Sequence, residues 1–328
     1  MLRPKISIAT LGGTLSMQRC QPGGGITPTL AGQALLATAP ELNELADIKV
    51  ESLSLLPSAS LDFAFLLQVV SWAKRQIAQG ARGVVITQGT DTLEETATFF
   101  DCLWDHHQPL VVTGAMRGAG QAGADGPANM LDACRVAIDD SSRKRGVLVV
   151  LNAEVHQALS VRKTHSLALQ AFSSPNVGPI GLVIENSIHY LRAAAARKVL
   201  PWPARTTHKV ALLEAVLSAD TVLLEHLVAL GYEGLVIAGF GAGHVSEQWS
   251  KALEKVAAKL PVIVSTRSGA GPTARKTYGF MGGEIDLVSK GVHLSGFLCP
   301  RKARVLLWLL IGCDHSYRLA TYLKRYGY

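Results

Sequence analysis

Short apolar runs rich in β-branched residues alternate with helix-patterned stretches along nearly all of this 328-residue chain. The strand-like runs are Lys5–Thr10, Gly83–Thr87, Leu110–Thr113, Gly146–Asn152 and Gly181–Ile184, then Val210–Leu213, Leu235–Ala238 and Pro261–Ser265. Helical spacing falls on Thr29–Thr38, Asp62–Gln79, Leu93–Asp105, Pro127–Asp140, Ala219–Leu230, Ser246–Lys259 and Pro300–Ile311. A strand that is apolar on both faces must be covered on both faces, and helical crossovers do that. The pattern predicts an α/β fold built on a mostly parallel, helix-covered sheet.

The alternation is interrupted once. Between Tyr190 and Lys209 come Ala193–Ala196, the pair Arg197-Lys198 and then Pro201-Trp202-Pro203. Proline-rich backbone is extended and marks a connection. We expect a larger N-terminal α/β domain over 1–190, a linker over 191–209 and a smaller C-terminal α/β domain over 210–328. A length of two domains at about 150 residues each agrees. Apolar residues at 48% supply a core, and 17% charged residues exclude a disordered chain. The formal charge is +7, but its densest cluster, Arg143-Lys144-Arg145, is too short for a nucleic-acid surface. No nucleic-acid partner is expected.

The longest apolar run, Val305–Ile311, falls far short of the roughly 18 residues of a spanning helix, so no membrane partner is expected either. Met1–Lys5 leads into a strand with no apolar signal region. Five cysteines lie far apart, with no disulfide or zinc spacing, which fits a reducing, cytoplasmic setting.

In open α/β sheets ligands bind beyond the carboxyl ends of strands, so the residues just past each strand matter most. Lys5–Thr10 is followed by Leu11-Gly12-Gly13-Thr14. Gly83–Thr87 is followed by Gln88-Gly89-Thr90-Asp91-Thr92-Leu93-Glu94-Glu95. Glycine lets backbone turn sharply and approach a ligand closely, which presents Thr14 and Thr90 at two strand ends. Thr92 with Glu95 fits a capping box, with Asp91 at a helix start. Glu94-Glu95 and Asp139-Asp140 read as solvated faces or caps, because adjacent helical residues point apart. After Leu110–Thr113, Gly118, Gly120 and Gly123 match G-x-G-x-x-G, but several residues too late for a dinucleotide loop. Asp125 there is expected to cap the helix beyond it. Gly239-Phe240-Gly241-Ala242-Gly243-His244 lacks the third glycine. His106-His107 reads as a solvated helix end, Cys134 as a buried helix residue, and no phosphate loop, H-E-x-x-H or G-x-S-x-G occurs.

Taken together these segments resemble the bacterial-type L-asparaginases. Thr10-Leu11-Gly12-Gly13-Thr14-Leu15 is similar to the first signature of that family, and Ile86–Ala97 to the second, almost letter for letter. Val112–Arg117 with Ala124–Asn129, the lysine segment Val161-Arg162-Lys163-Thr164, and Lys302–Leu307 come in the family's order over nearly the whole chain. The resemblance implies hydrolysis of the side-chain carboxamide of L-asparagine to L-aspartate and ammonia, without cofactor or metal. It implies a homotetramer of intimate dimers acting on a small amino-acid amide. It makes Thr14 the nucleophile and Thr90, Asp91 and Lys163 a second, triad-like group. Ser58 would bind substrate, Asp91 would hold the α-amino group, and Gly89 and Ala115 would line the amide site. A threonine hydroxyl needs a base or a hydrogen-bonded chain to take its proton, and backbone N–H groups at the Gly-Thr turns would hold the oxyanion.

The chain departs from the family pattern at identifiable places. The loop Ser16–Pro28 carries no tyrosine. Thr27 or a tyrosine from elsewhere, such as Tyr278, is the candidate to stand in, the alternative being that activation runs differently, and Gly23–Gly25 suggests a lid. The family's substrate-binding glutamine is Ala59, and a partner-subunit asparagine position is His244. Glu284 is a weak match for the acidic residue donated across the dimer. These departures leave open another amide, such as D-asparagine or glutamine, and a non-hydrolytic amino-acid-binding protein on the same fold. A nucleotide-dependent oxidoreductase is the third reading, from the glycine matches alone.

Overall fold

The computed structural model describes residues 3–19, 26–28, 36–195, 197 and 199–327. The chain divides into two compact units, Met1–Val199 and Leu200–Tyr328. In the first, strands β1 (Lys5–Thr10), β2 (Met17–Arg19), β3 (Ile26–Pro28), β4 (Asp47–Ser52), β5 (Gly83–Thr87), β6 (Leu110–Thr113) and β7 (Val147–Leu151) lead into β8 (Glu154–Gln157). β9 (Arg162–Lys163), β10 (Phe172–Ser173), β11 (Gly181–Ile184) and β12 (Ser187–Tyr190) complete the unit. The main sheet has the order β12-β11-β8-β7-β6-β5-β1-β4, while β9 with β10 and β2 with β3 form separate ribbons.

From β4 to β7 every pairing is parallel. From β7 to β12 every pairing is antiparallel. The strand–helix alternation predicts Gly181–Ile184 in the same parallel run; it belongs instead to the antiparallel edge. The cause is local. Asn152 and Ala153 (φ 52° and 60°) join β7 to β8, and Glu185 and Asn186 (φ 48° and 65°) join β11 to β12. Two-residue loops with positive φ at both positions make tight hairpins that match strand twist. Neither hairpin leaves room for a crossover helix, and between β8 and β11 residues 158–180 hold the β9–β10 ribbon instead of a helix.

Helices cover the parallel part. Phe63–Ala78 starts at Asp62, whose carboxylate accepts the Phe65 N–H at 2.7 Å, and it buries Leu66, Val69, Val70, Ala73 and Ile77 at helical spacing. Leu93–Leu103 is buried almost all round; Phe99 and Phe100 are fully inside, each contributing roughly 1.5–3 kcal/mol by burial. Gly126–Ile138 covers the other face with Met130, Ala133, Cys134 and Ala137. Of the expected helix Thr29–Thr38, all but Leu36–Thr38 lies outside the described residues.

The second unit holds the parallel sheet β13 (Lys209–Glu214), β14 (Tyr232–Gly239), β15 (Val262–Thr266) and β16 (His293–Leu294). Glu247–Ala257 and Pro300–Gly312 pack on it. The helix expected over Ala219–Leu230 is only Val222–His226. His208 stacks on Trp308 with ring centroids 4.6 Å apart and bonds the Trp308 carbonyl through Nε2.

Burial drives the ionisation of His208 below the ordinary histidine value of 6.5, although the Trp308 carbonyl pulls the other way. Burial does the same to His293. Well above pH 6.5 both rings are neutral in the folded and the unfolded chain, and they add nothing pH-dependent. Below it the unfolded chain takes up protons that the native rings refuse, so stability falls. The urea midpoint is expected to drop from pH 7 to pH 5.5, and the double variant His208→Gln/His293→Gln to flatten that drop. A drop that the double variant leaves untouched would assign it to other groups.

Candidate active site

Four turns converge at the carboxyl end of the parallel strands. β1, β5 and β6 end in register at Thr10, Thr87 and Thr113. The ladder runs one step further through Leu11 N–H to the Thr87 carbonyl (2.9 Å) and Gln88 N–H to the Thr113 carbonyl (3.1 Å). Gly12 and Gly13 then turn with φ of 100° and 85°. A Cβ on Gly13 would lie 2.1 Å from the Gly89 nitrogen, and one on Gly12 2.5 Å from the Leu56 carbonyl oxygen. One on Gly89 would meet Ser58 Oγ at 2.8 Å, and one on Gly114 the Gln88 carbonyl oxygen at 2.6 Å. Backbone packs on backbone where only glycine permits it. The turn carrying Thr14 is thus seated on the turn carrying Thr90 and Asp91, with Ser58 and the Gly114-Ala115 turn against the latter.

Thr14 opens a short 3₁₀ turn and is half-buried. Ala115 is buried and packs with Leu15. Ser58 is buried at the head of the Ser58–Ser60 turn, where Ala59 is exposed. Ser58 Oγ, Thr87 Oγ1 and Gln88 Oε1 are buried without a hydrogen-bond partner among the described residues. Unsatisfied polar atoms in a buried place are costly unless a bound group completes them.

Lys163 reaches this place from β9. Its Nζ donates to Thr90 Oγ1 at 2.9 Å and to Asp91 Oδ1 at 2.7 Å. The lysine side chain is 17% exposed and that of Asp91 71%. The main-chain N–H of Lys163 donates to Glu94 Oε2 at 2.6 Å. This corrects the reading of Glu94 as a solvated face or cap, since Glu94 is 2% exposed. The Leu93–Leu103 helix is buried nearly all round, so its first turn faces the β9–β10 ribbon instead of water. The capping box is also absent: Thr92 Oγ1 donates to the Ser58 carbonyl at 3.0 Å, and Asp91 lies in a 3₁₀ turn, Thr90–Thr92, ahead of the helix.

Asp125 occupies the N-cap position without capping. Its carboxylate accepts from Met116 N–H (2.9 Å), Arg117 N–H (2.9 Å) and Asn129 Nδ2 (3.1 Å), and so fastens the loop after β6. The Gly118 N–H is taken by Gln121 Oε1 at 2.9 Å. The glycine-rich loop closes on itself and does not open a phosphate cradle at the helix start.

Thr27 lies in β3 opposite Gln18, while Gly23–Gly25 lies outside the described residues. In the C-terminal unit, Phe240 and His244 exchange main-chain hydrogen bonds of 2.8 Å across a tight turn. His244 Nε2 faces the buried Glu284 Oε2 at 3.3 Å, and the Tyr278 ring packs edge-on to His244 at 4.7 Å. Burial pushes the Glu284 carboxyl up, but N–H donors from Tyr278, Glu284 itself and Thr277, with His244, hold it below the usual range. Among the described residues no group of three histidine, cysteine or acidic side chains is placed to hold a metal.

Residues 5–196 match the family model described as "Asparaginase, N-terminal", and residues 209–319 that described as "Glutaminase/Asparaginase C-terminal domain". The chain belongs to the asparaginase family. It is an enzyme of the amidohydrolase type. Its relatives in the asparaginase family include the "Probable L-asparaginase periplasmic" of Haemophilus influenzae, 36% identical over 94% of this chain and 88% of that protein. A glutamyl-tRNA(Gln) amidotransferase subunit of Methanosarcina acetivorans is 32% identical over 98% of this chain and 77% of its own length. The structure of the probable cytoplasmic L-asparaginase from Campylobacter jejuni superposes with a TM-score of 0.87 over 98% of this chain and 99% of that one, at 29% identity. The two-domain α/β architecture, with a large mostly parallel sheet and a smaller C-terminal one, is that of this asparaginase.

Glu94, like Thr87 and Gln88, stands at this place without having been singled out from the sequence motifs. Glu94 lies within the second signature segment, but nothing local shows its contact, which is with a ribbon 69 residues further along the chain.

Proposed function

We propose that this enzyme hydrolyses the side-chain carboxamide of L-asparagine to L-aspartate and ammonia. The observation that carries the reading is the Lys163 ammonium bridging Thr90 and Asp91, on the turn against which Gly13 seats Thr14. Thr14 Oγ1 adds to the amide carbon and gives up its proton. N–H groups of the glycine turns hold the oxyanion. The C–N bond breaks, ammonia leaves with that proton, and an aspartyl ester on Thr14 remains. Water held at Thr90 then cleaves the ester and restores the threonine hydroxyl. Lys163 orients Thr90 throughout, Asp91 takes the substrate ammonium, and the unpartnered Ser58 Oγ takes its carboxylate. The three orphaned polar atoms support a polar substrate at this place.

A second reading is supported by Ala59, which is exposed and has no amide to offer, and by the relative named as part of an amidotransferase. Here the same site serves another amide or works within a larger assembly. Ammonia release from L-Asn, D-Asn and L-Gln separates the two. Turnover of L-Asn at roughly 1–10³ per second supports the first. Turnover of another amide alone, or none, supports the second.

The reading extends to the assembly, a homotetramer of intimate dimers. Exposed Val216, Leu217, Val222 and Leu223 on the C-terminal unit support an oligomer. Cytoplasmic residence is supported by Cys102, Cys134, Cys299 and Cys313, which form no disulfide among the described residues. Among the described residues no helix is long and apolar enough to cross a membrane.

A further inference from the structure

Lys163 sits on a strand of two residues, paired as Phe172↔Lys163 and Ser173↔Arg162, with the Thr164 N–H donating to the Ala171 carbonyl just beyond. Its ribbon stands apart from the eight-stranded sheet, so the main ladder does not set its position. Side chains do. On the far edge Ser174 Oγ lies 3.0 Å from Nδ1 of His156, and Gln170 Nε2 donates to Glu154 Oε2 at 2.9 Å. Both His156 and Glu154 belong to β8 of the main sheet. On the near edge stands Glu94, 2% exposed.

Glu94 comes from the first turn of the Leu93–Leu103 helix, directly after the turn bearing Thr90 and Asp91. One continuous segment therefore grips the same lysine at both ends. Thr90 and Asp91 hold its Nζ, and Glu94 holds its main-chain N–H at 2.6 Å. A charged acceptor makes such a bond short and strong. A lysine side chain has four rotatable bonds, and fixing its root narrows where the ammonium can go.

We propose that Glu94 is a positioning residue for the amide hydrolysis, its carboxylate setting the Lys163 main chain so that Nζ reaches Thr90 and Asp91 together. The inference rests on the role given to Lys163 above. Displacement of a reactive group by about 1 Å lowers a rate on the order of 10²-fold, which sets the expected size.

The test measures kcat and KM for ammonia release from L-asparagine in Glu94→Ala, Glu94→Gln, Lys163→Ala and the double variant Glu94→Ala/Lys163→Ala. Glu94→Ala is expected to lower kcat roughly 10- to 100-fold with KM within about threefold. Glu94→Gln, which keeps an acceptor oxygen, is expected to recover most of that loss. In the Lys163→Ala background the alanine at 94 is expected to lower kcat no further, because its effect runs through the lysine. Wild-type kcat in Glu94→Ala beside a collapsed Lys163→Ala overturns the proposal. So does a loss that multiplies with that of Lys163→Ala, which marks a merely structural role. Should the alanine variant not fold, Glu94→Asp decides. It keeps the buried charge and withdraws the acceptor by one methylene, so lowered kcat is expected and wild-type kcat overturns the idea. Full activity in Lys163→Ala is a different result, and removes the role of Lys163 itself.

Discussion

Thr14→Ala is expected to lower kcat for ammonia release from L-asparagine by about 10³-fold or more, with the melting temperature within a few degrees of wild type. The size comes from covalent catalysis: without the hydroxyl the aspartyl ester does not form, and only binding and oxyanion stabilisation remain. Stability should change little, because Thr14 is half-buried in a short turn and the substitution deletes one hydroxyl and one methyl group. Thr90→Val removes the hydroxyl that Lys163 holds at 2.9 Å and keeps the shape, so a fall of about 10²- to 10³-fold in kcat is expected. If the two threonines act in one sequence, the double variant is little worse than the worse single one. Wild-type ammonia release in both single variants would end the threonine mechanism. KM separates the alternatives further: a rise in KM at unchanged kcat would make these groups binding residues only.

Gly13→Ala is expected to damage both the fold and the rate. The new Cβ would sit 2.1 Å from the Gly89 nitrogen and 2.3 Å from its Cα. Both contacts are backbone, so no side chain can swing aside. Overpacking of this kind costs about 1–3 kcal/mol, and the φ of 85° costs an L residue about 1–2 kcal/mol more. Together these come to about 2–5 kcal/mol of N-terminal-unit stability. The strain lies between the Thr14 and Thr90 turns, so kcat should fall even at temperatures where the variant stays folded. Gly80→Ala is the control. Gly80 has φ 93° and nothing within 4 Å of a Cβ, so it meets only the backbone cost, and wild-type kcat is expected. Equal effects at the two positions would mean that backbone conformation alone, and not the Gly13–Gly89 contact, explains the loss.

Much of this molecule is legible in the chain. The apolar strands β1, β5 and β6 declare themselves, because a strand covered on both faces has no polar alternation to confuse it. The glycines after them mark close approach because no other residue tolerates it. Polar β4, with only Ile48 and Val50 partly covered, gives no such signal, since an edge strand need not be apolar. Two turn residues defeat a local reading. Thr92 and Asp125 have the chemistry of caps, but each side chain finds a stronger use across the site. A capping residue competes with every other donor within reach, and local sequence does not reveal that competition.

The parallel core, the glycine turns and the residue types at the strand ends follow from the chain's local pattern, because these depend on burial and backbone sterics over a few neighbouring residues. The resemblance groups Lys163 with Thr90 and Asp91, but the contacts themselves, across more than 70 residues, and the bond from the Lys163 main chain to Glu94 exist only in the folded chain. Those contacts depend on where a two-residue ribbon docks, and docking is set by side chains of separate elements meeting in space, a relation that no periodicity along one chain encodes.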